Sequence, residues 1–117
     1  MRVFLIFLGL TLALESPVYL LAFRGRSLKE RLVLWVAANT TSYPLVFFYF
    51  PYLPWSDRAC ELAAEVWAPL CEIAVAQFLW TRVLARERVL IVLANLVSWL
   101  VGRELVLFLL HHTSWLD

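Results

Sequence analysis

The chain has 117 residues, of which 63% are hydrophobic and 15% aromatic, with only 16% charged. Ordinary soluble domains hold about 45–50% apolar and about 25% charged residues, so a mean hydropathy of +0.80 points to an integral membrane protein. A net charge of +1 without a polybasic run excludes the electrostatic footprint of a nucleic-acid partner.

A membrane-crossing helix needs about 20 mainly apolar residues, because the hydrocarbon layer is ~30 Å thick and the rise is ~1.5 Å per residue. Four stretches qualify, at about residues 3–23, 32–53, 59–81 and 89–112. Lipid offers the backbone no hydrogen-bond partners, so each stretch is expected to be a helix. The first, "MRVFLIFLGLTLALES", has the basic start and small residues of a secretory leader. It runs on through Pro17 to Phe23 before a basic residue arrives, which makes a retained helix the expectation. The second carries Asn39 and Ser42 one turn apart on one face, inside "LWVAANTTSYPLVFF". In the third, Glu61, Glu65 and Glu72 share a face, since offsets of four and eleven residues nearly repeat the 3.6 period. Cys60 and Cys71 lie on that same helix about 16 Å apart at ~1.5 Å per residue, beyond the ~7 Å reach of a disulfide. The fourth contains "VLANLVSWLVG" and then Arg103.

The separators are short and unequally charged. Arg24, Arg26, Lys29 and Arg31 follow the first stretch, and Arg82, Arg86 and Arg88 follow the third. Basic short loops stay cytoplasmic. The expected protein therefore lies in an inner or plasma membrane, with both termini outside and two hairpin tips in the cytoplasm.

The chain also resembles itself. With Asn39 placed over Asn95, Val33/Val89, Leu34/Leu90, Val36/Val92, Ala38/Ala94 and Ser42/Ser98 agree. One skipped loop residue then brings Glu15 onto Glu72. Apolar matches between membrane helices carry little information, but three polar matches in order do. The expected architecture is an all-α, four-transmembrane-helix bundle built from two parallel-repeated helical hairpins, with halves at about residues 1–55 and 56–117.

Depth follows from the flanking charges. Glu15 lies nine residues before Arg24 and Glu72 ten before Arg82, or ~13–15 Å from the basic loops. Asn39 and Asn95 lie eight and seven residues past Arg31 and Arg88, or ~10–12 Å. Glu15, Asn39, Ser42, Glu72, Asn95 and Ser98 are thus expected in one polar layer. A carboxylate at the centre of a membrane helix costs on the order of 2.5–3.5 kcal/mol on insertion scales, which favours turning these groups toward each other. Nearer the outer end, Glu65 and Arg103 are the candidate buried ion pair. Pro17 and Pro44 leave the carbonyls of Ala13 and Thr40 without helical donors, and hydroxyls at Thr40, Thr41 or Ser42, a cation or water are candidate replacements.

Intramembrane carboxyls are functional candidates by default. Carboxylates, amide oxygens and hydroxyls are the ligands of protons and hard cations. A small transporter or channel-like protein is one expectation; four helices enclose little volume, so it would work as a homo-oligomer or with other membrane subunits. A non-catalytic subunit of a larger membrane complex, its polar residues serving helix packing, is the alternative. An enzyme is the least supported class, because no nucleophile–base arrangement, phosphate loop or CxxC is visible. No cofactor is expected beyond a bound cation, and the lipid bilayer is the expected surrounding.

Overall fold

In the computed structural model, residues 1–112 are described; residues 113–117, the tail of the second expected half, lie outside the described residues. Helix α1, Arg2–Pro17, runs into a wide π-helical turn at Val18–Ala22. Helix α2 is Leu28–Phe48, followed by a 3₁₀ turn at Phe50–Tyr52; α3 is Asp57–Leu79 and α4 is Ala85–His112. All four, the first taken together with its π-helical turn as Arg2–Ala22, are long and apolar enough to cross a membrane.

Local chemistry sets the boundaries. Ser27 and Glu30 form a reciprocal capping box at the start of α2, and Ser56 accepts from the Ala59 N–H at the start of α3. Glu87 accepts the Leu84 N–H at 3.0 Å and so starts α4. Helices α2 and α4 therefore begin about four residues before their apolar runs, at Leu28 and Ala85, because a capped charged turn is still helix. Helix α2 also stops earlier than its apolar run, at Phe48, ahead of Pro51 and Pro54. Gly25 supplies the positive φ (88°) that the tight α1–α2 turn needs.

Each helix packs antiparallel on its sequence neighbours, and α4 closes against α1, so the four form a ring. The diagonal pairs α1–α3 and α2–α4 do not pack on each other. Small residues at the seams, Ala38, Ala64, Ala76 and Ala94, are buried and let the backbones approach. The end with the basic loops is plugged by a core of Tyr19, Phe23, Leu34, Trp80, Val83 and Ile91. Tyr19 stacks on Phe23, which meets Trp80 edge-on.

A polar clasp closes the same end. Arg26, in the first loop, donates Nε to Glu87 Oε2 at 2.8 Å and Nη2 to Glu87 Oε1 at 2.9 Å. Its guanidinium lies 3.9 Å above the Trp80 ring, and Nη2 also reaches the Arg82 carbonyl. The two hydrogen bonds to the Glu87 carboxylate push the Arg26 guanidinium above its ordinary value. Arg31 and Arg86 donate to the Leu20 and Ala22 carbonyls at the end of the first helix. These arginines, read from sequence only as orientation signals, also hold the loops together.

The outward faces are apolar. Phe78 is 90% exposed, and Leu21, Ile6, Val66 and Phe108 are exposed as well. The polar side chains Glu15, Asn39, Ser42, Glu72 and Asn95 are buried instead.

Candidate functional site

The six expected layer residues come together on the bundle axis. Glu15 projects from α1 between α2 and α4: its Oε2 accepts Asn39 Nδ2 at 2.9 Å and its Oε1 accepts the Ser98 hydroxyl at 2.9 Å. Glu72 projects from α3 between the same two helices: its Oε2 accepts Asn95 Nδ2 at 2.7 Å and its Oε1 accepts the Ser42 hydroxyl at 3.2 Å. Each carboxyl thus takes an amide from the helix that follows it and a hydroxyl from its other neighbour. Glu15 is fully buried, while Glu72 and Asn39 are 1% exposed.

Helix geometry fixes the amides. Asn39 and Asn95 each spend their second amide hydrogen on the carbonyl four residues back, that of Trp35 and that of Ile91, both at 3.0 Å. The NH₂ groups are then saturated and their orientation is set. Asn39 Oδ1 is left buried without a hydrogen-bond partner, an expensive condition for an amide oxygen in an apolar interior.

One member escaped the sequence reading. The Tyr19 hydroxyl crosses the bundle diagonal and donates to Glu72 Oε2 at 2.6 Å. Tyr19 sits four residues after Glu15, and that i, i+4 spacing on one face is the signal that marks it. The wide turn that follows Pro17 carries it.

Two expectations are corrected. Glu65 and Arg103 both line the cavity described below, but they form no ion pair among the described residues. Arg103 is exposed, whereas Glu65 is half-buried. The proline-freed carbonyl of Ala13 is taken by Ser16, whose hydroxyl donates to it at 2.8 Å. The hydroxyls of Thr40 and Thr41 bond back to their own helix, at the Val36 and Ala37 carbonyls.

A cavity of about 360 Å³ runs from the layer toward the end opposite the basic loops. Glu15, Asn39, Ser42, Glu72, Asn95 and Ser98 form its floor. Glu65 and Glu61 rise up one wall, and the Trp99 indole on another donates to Glu61 Oε1 at 2.9 Å. Phe7, Tyr43 and Val106 supply apolar wall. Below the floor the aromatic plug closes the bundle. Among the described residues no three His, Cys, Asp or Glu side chains converge as a metal cluster; a cation at the floor would be held by two carboxyls with amide, hydroxyl or water oxygens.

Compared with known protein families, curated proteins and solved structures, the chain matches none. Any functional reading rests on the geometry alone.

Proposed function

We propose that this protein is a small membrane transporter or channel-like protein that binds a proton or hard cation at the Glu15–Glu72 layer. One observation carries this reading: five side chains donate to the two carboxyls, and every donor is a neutral amide or hydroxyl. An ionised carboxylate in an apolar interior requires a compensating charge. With no Lys, Arg or His among those donors, a proton or a cation entering the layer supplies it.

The apolar outer faces around a polar axis support insertion in a bilayer, and the basic loops support a cytoplasmic position for the plugged end. The cavity is then an outward-facing vestibule. The matching Glu–Asn and Glu–Ser pairs support a two-hairpin repeat with an axis along the membrane normal. A path past the plug needs rearrangement of the helices or a second copy of the chain, and a homo-oligomer is part of the proposal.

The second reading is a non-catalytic subunit of a larger membrane complex, in which outward apolar side chains such as Phe78 and Leu21 would meet partner helices instead of lipid. Purified protein in liposomes separates the two. Transport predicts cation or proton flux that falls at least ten-fold in Glu15→Gln and in Glu72→Gln. A flux-inactive protein that co-purifies with a fixed set of membrane partners would establish the subunit role instead.

A further inference from the structure

Resting on the cation-binding reading of the layer, we infer that the cavity is a binding site for a small organic amine in its ammonium form. The ammonium group sits against the Glu72–Glu15 floor beside Asn39, and the apolar body lies against Trp99, Tyr43 and Phe7.

Size is the first argument. A cavity of about 360 Å³ lies at the lower end of the ~300–1,000 Å³ typical of small-molecule sites and holds roughly a dozen waters at ~30 Å³ each. A bare proton or metal ion needs none of that volume. Charge is the second. Four carboxyls line the cavity, those of Glu15, Glu61, Glu65 and Glu72, against the single guanidinium of Arg103, which is exposed. Among the described residues the lining offers an anion no other cationic partner.

The third argument is donor and acceptor chemistry. Asn39 lines the cavity, its two amide hydrogens are committed, and its Oδ1 is buried without a hydrogen-bond partner. A ligand that hydrogen-bonds the acceptors of this floor carries N–H rather than a fully substituted nitrogen. The Glu72 and Glu15 oxygens keep acceptor capacity too, since an ionised carboxylate offers about four lone-pair sites and they receive three and two donors. The fourth is the apolar wall. The faces of Trp99, Tyr43 and Phe7 suit an apolar body and attract a nearby cation through their ring quadrupoles.

The test uses detergent-solubilised full-length protein and isothermal titration with 2-phenylethylamine, which is charged at neutral pH. Protein-free micelles give the baseline. The isosteric alcohol 2-phenylethanol and the anion 3-phenylpropionate are titrated in parallel. The expected result is saturable binding of the amine and at least ten-fold weaker binding of both others. Glu65→Gln and Glu72→Gln should each weaken the amine at least ten-fold. The comparison among the three probes on unaltered protein stands even where a variant fails to fold. Equal binding of amine and alcohol would overturn the proposal, leaving a purely apolar pocket. Saturable binding of none of the three, with proton or cation flux intact in liposomes, would overturn the amine site and leave the cation-binding layer standing.

Discussion

Tyr19 and Glu72, 53 positions apart, meet across the bundle diagonal through a 2.6 Å hydrogen bond, the one contact of the layer that joins α1's wide turn to α3. It breaks an otherwise balanced arrangement. Glu72 receives three donors and Glu15 two, and the residue four positions after Glu72 is the buried Ala76. The two carboxyls are thus inequivalent, Glu72 being the more firmly held.

Tyr19→Phe removes the hydroxyl alone and keeps the stacked ring. A hydrogen bond to an ionisable group contributes about 1.5–3 kcal/mol, and contacts within membrane bundles measure lower, about 0.6 kcal/mol on average. A loss of about 1 kcal/mol in detergent unfolding is expected. In a double-mutant cycle Tyr19→Phe should couple with Glu72→Gln by at least ~0.5 kcal/mol, while the pair Tyr19→Phe and Glu15→Gln should be closer to additive. Equal coupling to both carboxyls would contradict the inequivalence.

The serines are crossed between neighbouring helices, Ser42 to Glu72 and Ser98 to Glu15. Ser42→Ala should therefore couple with Glu72→Gln, and Ser98→Ala with Glu15→Gln, each by a few tenths to 1 kcal/mol. The opposite combinations should add. A uniform pattern across all four cycles would mean that the hydroxyls respond to general packing rather than to these bonds.

Much of the layer was legible because its residues are rare in their setting. Glu, Asn and Ser inside apolar runs announce themselves, and flanking arginines give their depth. Depth alone does not give direction around the helix. Glu65 and Arg103 lie toward the same end and line one cavity, yet no pair forms between them among the described residues. Tyr19 was passed over for a different reason: despite its i, i+4 spacing from Glu15, an aromatic in an apolar run reads as core, and its ring is core indeed, with only the hydroxyl belonging to the site. The Arg26–Glu87 contact spans 61 positions, and loop arginines already have a sufficient explanation in membrane orientation. The vestibule arises from how side chains fail to fill the axis, which no spacing rule reports.

The Arg26–Glu87 clasp fixes the plugged end. Both ends of the guanidinium fork are used, so Arg26→Lys, which keeps the charge but loses the planar double bond, should not restore it. Glu87→Gln loses the charge and weakens the cap at Leu84. Each variant should lower unfolding stability by about 1–3 kcal/mol and increase hydrogen exchange in residues 23–28 and 80–86 ahead of the layer. Unchanged exchange in those loops would show that the clasp is not what holds them.

Gly102 offers the cleanest separation of vestibule from layer. It lies on the cavity wall in α4, and a Cβ there would meet only the Leu14 Cδ1 at 3.6 Å, an ordinary contact. Gly102→Ala should therefore keep or raise stability, by up to about 1 kcal/mol from helix propensity, with the cavity still open. Gly102→Phe adds a ring that has the cavity as its nearest free space. Its bulk should occlude the path to Glu72 while leaving the five layer bonds in place, since Gly102 makes none of them. Flux and amine binding should both fall at least ten-fold in Gly102→Phe and stay near the unaltered level in Gly102→Ala, with the two variants unfolding within about 1 kcal/mol of each other. Full flux in a folded Gly102→Phe protein would mean that ions reach the carboxyls by a route other than the vestibule.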